Sequence, residues 1–234
     1  LTHLDKTYEA EALLGVTTDT LDHEGEVQEV RPGAEAVDDA SLEAAAAALR
    51  GPQDQLPPVY SAKKIGGEAA HRRVRRGESV TLAPVSIHVH ALDLLEREGA
   101  RVRFRVRCSS GTYVRALARD LGEAVGVGAH LTALRRTAVG AFSVGGAIPI
   151  DALDAVPPEA WITPADALRR AGVPSFEVGP DDPALLAQGR VVSCGDALSV
   201  GPATPVAAVR EGRLLAIGEL EGGRFQPRRV FVSS

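Results

Sequence analysis

The chain has 234 residues, of which 44% are hydrophobic and 24% charged, and a formal net charge of −5 at pH 7. These proportions describe a globular chain of one or two domains, long enough to bury its own core. They exclude a global basic field, so any nucleic-acid contact must come from local patches, and no window approaches the ~18 consecutive apolar residues of a membrane-spanning helix. The start, Leu1 to Glu9, is polar and lacks the layout of a signal peptide. Methionine is absent and the first residue is Leu1, so a processed or shortened N-terminus is expected. Cys108 and Cys194 show no C-x-x-C spacing, which argues against a disulfide framework or zinc site and fits a reducing cytoplasm.

Residues 6–16, KTYEAEALLGV, alternate Tyr8, Ala10, Ala12 and Leu14 against polar or small residues, the pattern of a half-buried strand. TTDTLDHEG (17–25) reads as an acidic turn, followed by a short strand over Glu26–Val30. DASLEAAAAALR (39–50) predicts a helix capped by Asp38, Asp39 or Ser41 and stopped by Gly51. Residues 51–67 are punctuated by Pro and Gly and predict a loop or short hairpin. A short basic helix is expected over 68–76. Residues 85–95 and 100–108 predict an antiparallel pair; in the second, Val102, Phe104, Val106 and Cys108 share one face and Arg101, Arg103, Arg105 and Arg107 the other. SSG (109–111) leads into a helix over Thr112–Val125, closed by Gly126, and a second short helix is expected over about His130–Arg135. Beyond Gly172, short β-like runs alternate with Gly and Pro turns, the texture of a small β-rich, barrel-like domain.

Several residues are candidates for chemistry. Tyr8, Tyr60 and Tyr113 sit in short segments with unusual neighbours, although tyrosines also pack cores with a wet hydroxyl end. Arg115 falls in the first turn of its helix, where the macrodipole disfavours a cation. It is either solvated or compensated by a carboxylate or phosphate. Between Lys63 and Arg76, six cations face one acid, a local reversal in an acidic chain that suggests phosphate contacts. The arginine stripe on residues 101–107 is either a second such surface or the solvent face of a sheet. Asp19, Asp22 and Glu24 lack calcium-loop spacing and read as turn residues. No P-loop, G-x-G-x-x-G or Ser/His/Asp order is present.

Four segments in order, DKTYEAEALLGVTTDTLDHEG, LRGPQDQLPPVYSAKKIGGEAA, RCSSGTYVRALARDLGEAVGVGAHLTALRRTAVG and GRFQPRRVFV, resemble the TruB tRNA pseudouridine synthases. The resemblance spans nearly the whole chain and is most specific in GTYVR…DLG…GAHLTALRRTAVG. It implies an α+β protein: a mixed α/β catalytic domain on a largely antiparallel sheet (1–170) and a small PUA-like RNA-binding domain (171–234). The implied activity is that of an isomerase, an intramolecular transferase acting on uridine 55 of the tRNA T loop. The base is flipped out, its glycosidic bond broken and the base rejoined through carbon, with neither cofactor nor metal. By resemblance, Tyr8 stacks on the flipped base and serves the final proton transfer, Arg115 pairs with the catalytic aspartate, Tyr113 shapes the pocket and Leu134 packs against the base. Residues 55–84 match an insertion that grips the T arm, so Lys63, Lys64, His71, Arg72, Arg73, Arg75 and Arg76 are expected to meet phosphates. His71 stands where the family usually has Tyr. The partner is tRNA, with no membrane, and the working unit is expected to be a monomer.

The family's nucleophilic Asp lies in a G-x-x-D-P segment upstream of the DKTY strand, and no such segment precedes that strand in these residues. Thr20-Leu21-Asp22 mimics part of that motif but lacks its glycines and its Pro, and aligns with an ordinary acidic turn. Without the nucleophile segment, Arg115 is expected to face an empty place and the Tyr8 strand to expose an apolar edge. The chain alone is then inactive. The alternative is a non-catalytic tRNA-binding or RNA-folding module using the same surfaces.

Overall fold

A computed structural model describes residues 1–61, 64–65, 68–69, 73, 76, 82–194, 198, 200–201 and 203–231. The chain divides into two compact units, Leu1–Gly145 and Gly146–Ser234. The change of texture near residue 170 falls inside the second unit, where a helix ends and Gly172 adopts a positive φ.

The first unit is built on a six-stranded antiparallel sheet. Its strands are β1 (Lys6–Leu14), β4 (Gly51–Gln55), β7 (Val85–Glu98), β8 (Arg101–Cys108), β9 (Ala129–Val139) and β10 (Phe142–Ser143), in the order β10-β9-β1-β8-β7-β4. Strands β2 (Val16–Thr18) and β3 (Val27–Val30) form a separate ribbon, and β5 (Lys64–Ile65) pairs with β6 (Glu68–Ala69). Helices α1 (Asp39–Ala48) and α2 (Val114–Ala124) contribute to the same core as the large sheet.

Local rules explain much of this. Asp38 caps α1, accepting from the Ser41 backbone N–H at 2.8 Å and from its hydroxyl at 2.7 Å, a contact that typically stabilises a helix by about 1 kcal/mol. Leu42, Ala45 and Ala46 are the buried face of α1, at the spacing a helix requires. Along β8, Val102, Phe104, Val106 and Cys108 are buried and the intervening arginines exposed.

That arginine stripe is largely neutralised within the sheet. Arg101 meets Glu11 at 2.8 Å, Arg103 meets Glu96 at 2.6 Å and Arg105 meets Glu9 at 2.8 Å. The Arg105 hydrogen bond holds Glu9 below the usual carboxylate range; for Glu11 the Thr132 hydroxyl does so first and Arg101 adds to it. Exposed pairs of this kind add little stability, but they make the stripe the charge-paired solvent face of a sheet.

Several expectations are corrected. β1 exposes no free edge, because β8 and β9 flank it. The covering strand includes the residues expected to form a helix over 130–135: pairing with β1 places all of them in β9. Residues 51–55, expected in a loop or short hairpin, pair instead with the distant β7 as β4. Glu68–Ala69 pairs as β6 where the first turn of the basic helix was expected; most of that helix lies outside the described residues. Thr17 and Thr18 belong to β2 before the acidic turn begins.

The second unit holds a five-stranded sheet of β11 (Ser175–Glu177), β12 (Val192–Ser193), β13 (Val206–Arg210), β14 (Arg213–Glu221) and β15 (Arg224–Val230), in the order β11-β13-β14-β15-β12. The β11–β13 pair is parallel and the others antiparallel. Helices α3 (Pro164–Arg170) and α4 (Asp182–Ala187) belong to this unit. Phe176 and Phe225 meet in its core with ring centroids 5.1 Å apart. No helix among the described residues is long and apolar enough to cross a membrane.

One glycine fixes how α2 meets the sheet. The carbonyl of Gly122 accepts from the N–H groups of Val127 and Gly128 at 3.1 and 2.9 Å, folding the chain back from α2 into β9. A Cβ at Gly122 would stand 2.3 Å from the Gly128 carbonyl carbon and 2.5 Å from the Ala129 nitrogen. Because backbone is the obstacle, Gly122→Ala is expected to destabilise the first unit by about 1–3 kcal/mol. A urea-unfolding midpoint equal to that of the parent chain would contradict this.

Candidate active site

The site is built from the first turn of α2 and two segments that reach it. Tyr113 is the N-cap residue of α2, and its side chain makes no capping bond. The buried side chain of Gln55 instead pairs with the peptide groups of Tyr113 itself. Its Oε1 accepts from the Tyr113 N–H at 2.8 Å and its Nε2 donates to the Tyr113 carbonyl at 3.1 Å. This reciprocal amide pair ties the end of β4 to the helix start. Nothing in the sequence pattern singles Gln55 out.

Arg115 does not face an empty place. Its Nη1 donates to Asp22 Oδ2 at 2.8 Å and to the Thr20 carbonyl at 2.9 Å, and its Nη2 donates to the Tyr60 carbonyl at 2.9 Å. The side chains of Arg115 and Asp22 are 25% and 21% exposed, so the pair is more shielded than an ordinary surface ion pair. A guanidinium carries five N–H donors. The Nε–H and one Nη2–H have no acceptor among the described residues.

Asp22 does form the turn the sequence suggests, since Oδ1 accepts from the Glu24 N–H at 3.2 Å and from the Thr20 hydroxyl at 2.6 Å. The same carboxylate serves Arg115 through its other oxygen, a use that the reading as an ordinary turn residue does not contain. The loop is held firmly around it. Thr18 donates to the Asp22 carbonyl at 2.7 Å, and Leu131 of β9 donates its N–H to the Leu21 carbonyl at 3.0 Å. Leu21 has φ 64°, an uncommon conformation for a branched residue that surrounding contacts must enforce. Burial pushes the Asp22 carboxyl up, but the Thr20 hydroxyl, the Arg115 charge and the Glu24 N–H outweigh it and hold the group below its ordinary range.

Tyr8 is half-buried on β1 and packs against the apolar core. Leu134 is 50% exposed on β9, directly opposite Ala10, and so shares the face of Tyr8 two residues along. Asp22 bridges to Leu131 on the same strand, which places the Asp22 loop and Leu134 on neighbouring parts of β9. The geometry thus joins Arg115, Asp22 and Tyr60 by hydrogen bonds, and links Tyr8 and Leu134 by register. Of the expected RNA contacts, Lys63, His71, Arg72 and Arg75 lie outside the described residues. Lys64 is in β5, and Arg76 donates its backbone N–H to the Arg73 carbonyl at 3.0 Å. No cluster suited to a metal ion occurs among the described residues.

A carboxyl whose pKa is depressed on folding stabilises above its unfolded value, near 3.9, and loses that contribution as the pH falls through the folded value. Asp22→Asn is therefore expected to lower stability by about 1 kcal/mol at neutral pH, allowing for solvent screening. The gap from the parent chain should close as the pH falls below about 4. Denaturant unfolding across pH checks this; a gap undiminished in strong acid rules the ion pair out as its cause.

The chain matches two family models: TruB family pseudouridylate synthase (N terminal domain) over residues 1–114, and tRNA pseudouridylate synthase B C-terminal domain over residues 115–175. It is 43% identical over 230 residues to the tRNA pseudouridine synthase B of Aromatoleum aromaticum, covering 97% of this chain and 72% of that protein. It is 40% identical over 239 residues to the protein of the same name from Thermobifida fusca, covering 98% and 78%. In fold it is similar to a chain of a Cbf5-Nop10-Gar1 complex (TM-score 0.70, 22% identity, covering 100% of this chain and 68% of that one). It is also similar to a chain of an H/ACA RNP bound to a substrate RNA containing 2'-deoxyuridine (TM-score 0.67, 20% identity, covering 99% and 67%). The fold is that of an α+β pseudouridine synthase with a C-terminal β domain, and the chain belongs to the TruB family of tRNA pseudouridine synthases.

Proposed function

We propose that the chain provides one wall of an active site that isomerises uridine 55 in the tRNA T loop, with the nucleophilic carboxylate carried on a G-x-x-D-P segment ahead of the DKTY strand, which residues 1–4 do not supply. The observation that supports this reading is the state of Arg115. Asp22 and two carbonyls hold its guanidinium in place, while the Nε–H and one Nη2–H remain available for a second anion. A planar guanidinium suits a carboxylate geometrically. Asp22 then acts as the positioning partner of Arg115, and the incoming carboxylate acts on the sugar or base. Tyr8 stacks on the flipped base and serves proton transfer, Leu134 supplies an apolar contact beside it, and Tyr113 borders the pocket.

In the same reading, residues 55–84 grip the T arm, and Lys63, Lys64, His71, Arg72, Arg73, Arg75 and Arg76 supply contacts to its phosphates. Residues 171–234 form a PUA-like RNA-binding domain, for which the five-stranded sheet is suitable support. The chain works as a monomer in the cytoplasm, where its two buried cysteines stay reduced.

Release of tritium from C5-labelled uridine in T-arm RNA tests the chemistry. The 234-residue chain is expected to bind this RNA without turnover, and the chain extended by a G-x-x-D-P segment to release label. Turnover by the 234 residues alone would refute the need for an added carboxylate. Binding without turnover in both forms would favour an RNA-folding module. Separately, replacing Arg72, Arg73, Arg75 and Arg76 together by Ala should weaken T-arm binding and flatten its salt dependence. An unchanged salt titration would refute the phosphate grip.

A further inference from the structure

The pairing of β1 with β9 is irregular at two places, between Thr7 and Tyr8 and between Glu11 and Ala12. At each place a β9 threonine falls out of register: the Thr137 hydroxyl donates to the Thr7 carbonyl at 3.3 Å, and the Thr132 hydroxyl to the Glu11 carboxylate at 2.6 Å. Between the irregularities, four pairs run in unbroken register: Tyr8 with Arg136, Glu9 with Arg135, Ala10 with Leu134, and Glu11 with Ala133. Residues directly opposed in an antiparallel pair share a face. Ala10 is buried and Tyr8 packs against the same core, whereas Glu9 and Glu11 meet the arginine stripe. Arg136 therefore lies on the face of Tyr8 and Leu134, and Arg135 on the opposite face.

Arg136 is exposed. Arg101, Arg103 and Arg105 each hold an acid, but no carboxylate among the described residues pairs with Arg136. Two bulges framing its short window fix where this cation is displayed, a common use of bulges beside functional sites.

Resting on the RNA-isomerase reading above, we propose that Arg136 binds a backbone phosphodiester of the RNA next to the base that reaches Tyr8. A nucleotide turned out of its stack carries its flanking phosphates with it. A base on Tyr8 therefore brings an anion to the neighbouring strand, where a guanidinium can hold two of its oxygens.

The test is binding of a fluorescent T-arm hairpin RNA to the full chain, read by anisotropy across a salt series. Arg136→Ala is expected to weaken binding about 5–20-fold at low salt and to reduce the slope of log affinity against log salt by about 0.7–0.9, the loss of one phosphate contact. Arg136→Lys should keep the slope and recover part of the affinity, because charge survives without the planar fork. Arg135→Ala, on the other face, should keep the parent slope. An unchanged slope in Arg136→Ala, or an equal loss in Arg135→Ala, would overturn the assignment while leaving T-arm recognition intact. A parent chain that binds the T arm no better than an unrelated hairpin would remove the RNA-isomerase reading and this assignment with it.

Discussion

A cation in the first turn of a helix sits where the aligned peptide dipoles oppose it, and one end of the first unit is organised around offsetting that cost. From α2, Arg115 gathers a carboxylate and two carbonyls from two segments distant in sequence, 93 and 95 residues away in the Thr20–Asp22 loop and 55 residues away at Tyr60. Each segment is fixed independently. Leu131 and Thr18 secure the loop, and Gln55 secures the chain leading to Tyr60. The ion pair is thus a consequence of the fold as well as a contributor to it. It keeps a guanidinium aimed in one direction through three fixed acceptors, the kind of preorganisation on which the proposed role of Arg115 depends.

The sheet separates two electrostatic environments. On one face of β1 and β8, acids and arginines cancel across strands. On the other, Ala10, Ala12, Leu14, Phe104 and Val106 build the core, and Tyr8 and Leu134 extend that apolar face to its margin. In a chain of net charge −5, this arrangement matters for an anionic partner. The neutralised face offers it little, so attraction must come from cations whose acids lie elsewhere.

Much of this is legible in local sequence rules. The alternation in β1 and β8, the Asp38 cap and the dipole argument for Arg115 all depend on neighbours within a few residues. The identity of Arg115's partner is hidden because Asp22 does what a turn aspartate does with one oxygen. Only the fold reveals the use of the other. β9 imitates a helix because its period is broken twice: Thr132 and Thr137 each add a residue, and Ala129, His130 and Leu131 are buried in succession. The expectation of a free edge on β1 fails for the same reason, since the strand that covers it carries no clean alternation. Gln55 gives no signal, because a glutamine bonded to one peptide unit leaves no pattern in a sequence.

That glutamine has a mechanical consequence. The chain leaves β4 at Gln55 and is attached to α2 three times within six residues: by the Gln55–Tyr113 amide pair, by Arg119 to the Leu56 carbonyl, and by Arg115 to the Tyr60 carbonyl. The basic stretch begins immediately afterwards. The segment that leads into it is therefore anchored to the helix that carries the half-buried Arg115, and its last attachment is a direct hydrogen bond to the guanidinium. In the proposed reading, grip and chemistry therefore meet at one short, thrice-attached segment, residues 55–60.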